Sequence, residues 1–314
     1  MCCSFLRLWF SGRTGAGRTS EDCRFYRRST GFFRLSPLRK QKKIHHIWRV
    51  LYPCGIHFFF SQLVGYVGLW LLARYGGGGG NLYYNNAILL TGITGILTVI
   101  PCLYFFRKDR IARIAGGLIP EENSAWKLHF SEGVLLLLLG AAFSQFANML
   151  VALLQTTLNY QEYQESMDQM TSGKSLWFLI LCMGVIAPVA EEIVFRWLIY
   201  LRLRDYMSMG LAAVISGVFF GIYHGNLVQA VYAGILGIVF ARFLEMTGNL
   251  KTSILLHMGA NIWSLLYSYL ISWALKEEFF GGMVMLLVLG LLLVMILGTR
   301  YFRKRAEGMK NRVI

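Results

Sequence analysis

Charged residues are scarce in this chain of 314 residues. They make up 15% of it, whereas 56% of the residues are hydrophobic and the mean hydropathy is +0.51. Apolar runs of about 18 to 25 residues recur along the sequence, and this is the length that a helix needs to cross a bilayer. The scarcity of charge excludes an ordinary soluble domain. It predicts an all-α, polytopic membrane bundle of about eight transmembrane helices, because helices satisfy their own backbone hydrogen bonds in lipid.

Acidic residues are the scarcer of the two signs of charge. There are 16 Asp and Glu against 31 Lys and Arg, and the formal net charge is +15. Such a basic balance is typical of nucleic-acid-binding proteins. Here, however, the Lys and Arg residues concentrate between and beyond the apolar runs, as the positive-inside rule requires. We therefore expect the lipid bilayer, and no nucleic acid, as the partner of this charge.

Several motifs of metal sites and membrane proteases are also missing. The six cysteines have no CxxC or other metal-type spacing, so free thiols are expected. There is no HExxH zinc motif and no GxGD motif. Val214 stands where a rhomboid-type GxSG motif before Ser216-Gly217 needs glycine. These absences exclude three known arrangements for cutting peptide bonds inside a membrane.

The apolar runs predict eight spans, with basic segments on either side of them. The spans cover residues 48–73, 87–106, 133–154, 176–200, 210–224, 228–243, 250–271 and 279–299. Residues 1–43 are predicted to form a basic, disordered cytoplasmic tail. Residues 44–300 are predicted to form the transmembrane domain, with its catalytic core at about 175–265. Residues 301–314 are predicted to form a second basic cytoplasmic tail.

The loops between the spans carry the signal for orientation. Lys and Arg are dense in alternate loops, as at residues 107–113 and 202–204, and sparse in the others. An even number of spans puts both termini on one side, and the positive-inside rule assigns that side to the cytoplasm. The glycine run 76–80 is expected to be a flexible loop. Segment 107–132 mixes apolar and charged residues and is predicted to lie along the cytoplasmic interface.

Two adjacent acidic residues, Glu191 and Glu192, end an otherwise apolar run. A charged side chain near the middle of a bilayer costs roughly 2.5–3.5 kcal/mol on insertion scales. On a helix, Glu192 and Arg196 lie four residues apart on one face and can form an ion pair. Glu191 is turned about 100° away and gains no such partner, and Pro188 is expected to bend the helix just before the pair. The pattern predicts a structural ion pair, Glu192–Arg196, and a free carboxylate, Glu191, facing a cavity.

Three further polar side chains lie within the predicted spans. His224 ends one span, and His257 and Asn261 share a helix face through their spacing of four residues. The other histidines, which are expected to have no function because they lie in tails or near span ends, are His45, His46, His57 and His129. A lone intramembrane His or Asn often makes only a helix–helix hydrogen bond. Here a carboxylate, two imidazoles and an amide on three spans form a set of acid, base and oxyanion-stabilising groups.

The span that ends at His224 raises a question of depth. Its small residues at every fourth position, which are typical of close helix packing, are Ala213, Gly217, Gly221 and Gly225. At 1.5 Å per residue, His224 lies about 21 Å from Gly210, which is deeper than Glu191. Either this span begins later, or the segments around it are tilted or re-entrant. The sequence leaves these alternatives open.

At these residues the chain resembles the CPBP family of intramembrane proteases, which is also called the Abi family. That family includes CAAX-processing (type II, Rce1-like) and bacteriocin-processing enzymes. Its pattern is EExxxR, then FxxxH, then HxxxN/D. All three motifs occur here in that order, as Glu191-Glu192/Arg196, Phe220/His224 and His257/Asn261. The resemblance covers about residues 175–265.

The resemblance implies a role for each matched residue. Glu191 and His224 would activate a water, and His257 and Asn261 would hold the oxyanion of the tetrahedral intermediate. The substrate would be a membrane-embedded or lipidated peptide in a bacterial cell membrane. The family is conventionally called metalloprotease, which implies a divalent metal such as zinc, held by Glu191, His224 and His257. A metal-free mechanism would use the same residues.

Three classes of function remain compatible with a buried polar cluster: an endopeptidase, a non-catalytic peptide-binding or bacteriocin-immunity membrane protein, and a transporter with a proton relay. The transporter is disfavoured because the polar spans occur only within residues 175–265 and no second half repeats their pattern. The binding protein is disfavoured because an unpaired buried carboxylate costs free energy, and peptide binding alone gives no evident reason to keep one. No residue identifies the substrate as a prenylated CAAX protein, a bacteriocin leader or another membrane peptide.

The charge pattern makes a prediction about topology. Tags at residue 1 and residue 314 are both expected in the cytoplasm. A cysteine in place of Gly78 is expected to react with a membrane-impermeant maleimide in intact cells, because the loop around it is poor in Lys and Arg. Reaction of Gly78→Cys only after permeabilisation would reverse the orientation.

Overall fold

The computed structural model describes residues 43–75, 82–115, 127–153, 160–274 and 280–311. Within them the chain forms nine helices and no strand. These are α1 (Lys43–Tyr75), α2 (Leu82–Ala115), α3 (Phe130–Leu153), α4 (Tyr160–Thr171), α5 (Leu176–Arg204), α6 (Met209–Tyr223), α7 (Leu227–Thr247), α8 (Leu250–Ala274) and α9 (Phe280–Asn311). The predicted tail up to residue 42 and the glycine loop 76–80 lie outside the described residues.

Eight of the nine helices lie where the sequence predicts spans, and α4 is the additional one, in the polar stretch before α5. Among the described residues, six helices are long and apolar enough to cross a membrane: α1, α2, α3, α5, α7 and α9. Helix α6 is apolar but has only 15 residues, and α8 contains polar residues such as His257 and Asn261. The protein is therefore a multi-pass, all-α integral membrane protein.

The interfacial location predicted for segment 107–132 is wrong for its first part. Helix α2 continues without a break to Ala115, and Arg113 near its end is 5% exposed. The Arg113 guanidinium donates to the Asp205 carboxylate and to the Leu201 carbonyl oxygen, each at 2.9 Å. This pairing compensates the buried charge, so the basic end of α2 packs on α5 rather than along the lipid surface. Residues 116–126 of the same segment lie outside the described residues.

Arginine side chains at the end of α5 tie this helix to its neighbours. Arg202, which is 1% exposed, donates to Asp109 on α2 at 2.7 Å. It also donates to the Tyr52 hydroxyl on α1 at 2.6 Å. Arg204 donates to both carboxylate oxygens of Glu245 on α7, at 3.1 and 2.9 Å. Three helices are thus held against α5 by charge-assisted hydrogen bonds, which are the stronger kind.

Glycines allow two helix pairs to touch backbone to backbone. A Cβ atom on Gly140 of α3 would overlap the Leu256 carbonyl oxygen of α8, and one on Gly259 would overlap the Leu137 carbonyl oxygen. In the predicted small-residue series of α6, a Cβ on Gly217 would lie 2.8 Å from the Gly234 carbonyl oxygen of α7. Gly225 serves a different purpose, because its φ of +73° forms the tight turn between α6 and α7. These close approaches seat α3 against α8 and α6 against α7.

We predict that the Arg202–Asp109 pair stabilises the fold. Asp109→Ala leaves the Arg202 charge without its carboxylate and is expected to lower the free energy of unfolding by about 3–5 kcal/mol. Tyr52→Phe removes one hydrogen bond from the same guanidinium and is expected to cost about 1 kcal/mol. Thermal unfolding of the purified protein in detergent measures the order of the two effects. Asp168→Ala on the exposed face of α4 is the control, and a shift as large as that of Asp109→Ala would contradict the prediction.

Candidate active site

Helix α5 departs from α-helical geometry on both sides of the paired glutamates. Residues Ile180–Ile186 and Ile193–Tyr200 are π-helical, and the α-helical turn Ala187–Glu192 lies between them. Pro188 explains the first departure, because it has no N–H to donate and its ring crowds the preceding turn. The Ala187 N–H bonds to the Cys182 carbonyl oxygen, five residues back. As a result, the Met183 carbonyl oxygen lacks its ordinary helical donors.

Asn261 fills this gap from the neighbouring helix. Its side-chain Nδ2 donates to the Met183 carbonyl oxygen at 2.8 Å, which fastens α8 to the π-helical part of α5. One of the two amide hydrogens is used in this bond, and the second is left for another acceptor. The residue that the sequence assigns to oxyanion stabilisation therefore also holds two helices together.

The Glu192–Arg196 pair is present and fully buried. The Arg196 Nε lies 3.3 Å from the Glu192 Oε2, and both side chains are 0% exposed. The guanidinium also lies over the Phe220 ring, at 4.4 Å from its centroid, and over the Phe240 ring, at 5.5 Å. A Cβ atom on Gly237 would come within 3.1 Å of Arg196 Nη2, so a glycine leaves room for the guanidinium. One carboxylate and two aromatic faces therefore compensate the Arg196 charge.

His257 bridges the two glutamates. Its Nδ1 lies 3.0 Å from Glu192 Oε1 and its Nε2 lies 3.6 Å from Glu191 Oε2. Its ring stacks on Phe240 at a centroid distance of 5.0 Å. Because the ionised Glu192 carboxylate can only accept, His257 Nδ1 carries the hydrogen of that bond. Glu192 is therefore more than the partner of Arg196, since it also orients the His257 ring.

Glu191 has no ion-pair partner on its own helix, as its spacing from Arg196 predicts, and His257 approaches it from α8 at 3.6 Å. Helical spacing describes contacts within one helix and carries no information about a neighbouring helix. Glu191 is 9% exposed and forms part of the wall of a cavity. The two adjacent carboxylates thus differ in surroundings: Glu192 is sealed between Arg196 and His257, whereas Glu191 faces open space.

His224 packs against Phe220, the ring that also contacts His257. Its Nδ1 donates to the Phe220 carbonyl oxygen at 2.8 Å, so in the neutral ring Nε2 is the nitrogen with a free lone pair. The Phe220 ring meets His224 at a centroid distance of 4.9 Å and His257 at 5.5 Å. Among the described residues no hydrogen bond or ion pair joins His224 to Glu191. The structure thus brings Glu191 and His257 into contact with each other. His224 instead contacts Phe220.

Of the two alternatives for the depth of His224, the later start is wrong, because α6 begins at Met209. The helix has 15 residues and is about 22 Å long, shorter than the roughly 30 Å of the apolar layer. The turn that holds His224 and Gly225 follows at once, and Asn226 caps α7 by accepting from the Gln229 N–H at 2.8 Å. A hairpin whose polar backbone groups are satisfied in this way can lie within the membrane when protein covers it.

Sequence reasoning missed His57. It was expected to have no function, yet it is 4% exposed and lies in the interior of α1. Its Nε2 lies 2.7 Å from the Tyr223 hydroxyl, and it interacts electrostatically with Glu191 and His224. A cavity of about 110 Å³ is lined by His57, Tyr223 and Glu191 together with residues of α2. Its position ten residues inside a predicted span could have indicated a function, because an ionisable side chain there has a high free-energy cost.

The three expected metal ligands do not form a closed set. Among the described residues, no group of three His, Cys, Asp or Glu side chains is close enough to hold a metal ion. A catalytic zinc needs three protein ligands about 2 Å from one point. Glu191 and His257 are 3.6 Å apart, and within the described part of the chain no hydrogen bond or ion pair joins His224 to either of them. The residues as arranged do not fit a zinc ion, so no step is derived through a metal, and zinc remains an untested expectation.

Comparison with known proteins identifies the segment that carries these residues. Residues 173–263 match the family model described as "Type II CAAX prenyl endopeptidase Rce1-like". Among curated proteins, the chain is similar to the "Putative membrane peptidase YdiL" of Bacillus subtilis (strain 168). The two are 22% identical over 210 residues, which cover 65% of this chain and 83% of that protein. No solved structure matches.

The matched segment contains all three motifs, and both similarities support a membrane protease. They confirm the resemblance that the motifs predict: residues 173–263 of this multi-pass membrane protein are similar to the Rce1-like type II CAAX prenyl endopeptidases.

Proposed function

We propose that the protein is an intramembrane endopeptidase that hydrolyses a peptide bond with a water activated by Glu191 and His224. The observation that carries this proposal is the unequal environment of the two glutamates. Glu192 is sealed by Arg196 and His257, at 3.3 and 3.0 Å, while Glu191 faces a cavity. A carboxylate next to water in an otherwise apolar region is suited to remove a proton.

Glu191 acts first in the proposed reaction. It takes a proton from a water molecule as the water oxygen adds to the carbonyl carbon of the scissile bond. His224, whose Nε2 lone pair is free, shares in accepting that proton. The same proton then passes to the amide nitrogen as the carbon–nitrogen bond breaks. One carboxylic acid and one amine result, and Glu191 returns to its ionised form.

His257 and Asn261 stabilise the intermediate in this proposal. Glu192 fixes the His257 ring through Nδ1, so its Nε2 points toward Glu191. A hydrogen on Nε2, together with the second amide hydrogen of Asn261, supplies two donors for the oxyanion. Donors that are fixed before the reaction, in a region of low dielectric, are worth more than the same donors in water.

The proposed substrate is a membrane-embedded or lipidated peptide. Glu191 lies on α5, which is long and apolar enough to cross a membrane, so the scissile bond reaches it most readily from the bilayer. The match to a family described by CAAX prenyl endopeptidases makes a prenylated peptide the first to test. An unprenylated transmembrane peptide is the second.

The first test is loss of the base. We expect Glu191→Gln to reduce cleavage of the substrate peptide at least 100-fold without a change in thermal stability, because the amide cannot accept the proton. Cleavage of a farnesylated CAAX peptide and of a transmembrane peptide is measured by mass spectrometry with purified protein in liposomes. Glu162→Gln on the exposed face of α4 makes the same chemical change away from the site and is the control.

Two outcomes would contradict the proposal. Wild-type activity in Glu191→Gln would remove Glu191 from the reaction. Tight binding of a peptide by both wild type and Glu191→Gln, with no cleavage by either, would favour the non-catalytic binding or immunity function.

The second test separates the roles of the two glutamates. Glu192→Ala leaves Arg196 buried with no carboxylate, so we expect the free energy of unfolding to fall by about 3–5 kcal/mol. Because Glu192 also orients His257, we expect activity per folded molecule to fall as well. Glu191→Ala is the matched variant at the adjacent position and should lose activity with little loss of stability. Identical stability of the two alanine variants would be inconsistent with this division of roles.

A further inference from the structure

We propose that the cavity between α1, α2 and α5 holds the water for hydrolysis, and that Tyr223, oriented by His57, positions one water against Glu191. This inference rests on the proposed function of Glu191. It adds a water compartment and two residues, Tyr223 and His57, that are not matched positions of the three family motifs.

The cavity has the size and lining of a hydrated space. Its volume of about 110 Å³ is several times the roughly 10–15 Å³ that one water needs on this measure. Polar groups line it from three helices, namely His57 and Ser61 of α1, Thr91 and Thr94 of α2, and Glu191 of α5. A buried water needs two to four polar partners, and this lining offers them. A cavity of this size lined only by aliphatic side chains would stay dry.

The cavity also connects Glu191 with one end of the bundle. Its lining on α2 extends from the first turn of the helix to residue 95, which is about 18 Å along the axis. Glu191 lies at the inner end of this stretch. Water can thus reach the carboxylate along the wall between α1 and α2 without crossing the aromatic cluster around Arg196.

Tyr223 is placed to hold a water at that inner end. It lines the cavity together with Glu191. Its hydroxyl is 2.7 Å from His57 Nε2 and 3.1 Å from His57 Nδ1, within hydrogen-bonding distance of both ring nitrogens. When the hydroxyl donates its hydrogen to the bare nitrogen of His57, its oxygen lone pairs turn to the cavity. His57 is thus a positioning residue that acts through Tyr223.

Both hydrogens of the attacking water then have an acceptor. One hydrogen of the water points to the Glu191 carboxylate and is transferred to it, as in the proposed reaction. The other hydrogen is donated to the Tyr223 oxygen, and the water lone pair faces the carbonyl carbon. Tyr223 and His57 neither gain nor lose a proton. Because the water is oriented before the reaction, less orientational entropy is lost on reaching the transition state, and the rate is higher.

The hydration of the cavity is tested first, by a measurement that needs no substrate. Thr94→Cys is expected to react with the small cationic reagent 2-aminoethyl methanethiosulfonate at least ten times faster than Ile93→Cys. The thiolate that reacts forms only where water is present. The two positions are neighbours on α2 at nearly the same depth, but Thr94 faces the cavity and the 38% exposed Ile93 faces outward. Rates are followed at each site by mass spectrometry, and equal rates at the two positions would overturn the water compartment.

The role of Tyr223 and His57 is tested by kinetics on the cleaved peptide. Tyr223→Phe keeps the ring contacts with Phe195 and His224 and removes only the hydroxyl. We expect kcat to fall about 10- to 100-fold with KM unchanged. His57→Leu should cause the same loss, whereas His57→Gln, whose amide oxygen can accept the Tyr223 hydrogen, should recover most of it. A purely structural role would lower thermal stability in both His57 variants and leave kcat per folded molecule unchanged, which would overturn the proposal.

The outcomes separate this inference from the function on which it rests. If Glu191→Gln keeps full activity, the proposed function fails whatever the labelling shows. If Glu191→Gln is inactive while Tyr223→Phe keeps full kcat, the function stands and the positioning role fails.

Discussion

The Glu192 carboxylate makes the contacts on which the arrangement of the candidate site depends. One of its oxygens faces Arg196 at 3.3 Å and the other bonds to His257 at 3.0 Å, so it couples a charge on its own helix to an imidazole on α8. A carboxylate with no exposed surface is tolerated in lipid only when such partners compensate it. The same contacts fix the direction of His257 and leave Glu191 as the carboxylate that meets the cavity.

Pro188 imposes a second constraint, on the backbone. By removing one helical donor it favours the π-helical stretch before the glutamates, and the Met183 carbonyl oxygen is then satisfied by Asn261. In the following π-helical stretch, the Ser216 hydroxyl donates to the Phe195 carbonyl oxygen at 2.9 Å. Irregular helices at functional sites are often held in this way by neighbouring side chains. Asn261 therefore connects the shape of α5 to the position of His257, one turn earlier on α8.

The sequence predicted what depends on spacing within a helix. Apolar runs located the eight helices, the four-residue spacing placed Arg196 beside Glu192, and the same spacing put His257 and Asn261 on one face. Contacts between helices were out of reach, because they depend on the rotation and depth of each helix in the bundle. For that reason the bond from His257 to Glu192 and the burial of Arg113 against Asp205 were not foreseen. His57 was missed because a lone histidine on a distant helix carries no spacing signal.

A peptidase within a membrane has to combine an apolar exterior with a supply of water, and the adjacent glutamates divide these requirements between them. Successive residues on a helix point about 100° apart. Neighbouring carboxylates therefore face different surroundings without any change in the backbone. The Glu192 side enters the packed contact among α5, α6, α7 and α8, where Phe220 and Phe240 cover the Arg196 guanidinium. The Glu191 side meets the polar cavity against α1 and α2. With the cavity hydrated as proposed, one step along the helix separates a buried ion pair that excludes water from a carboxylate that contacts it.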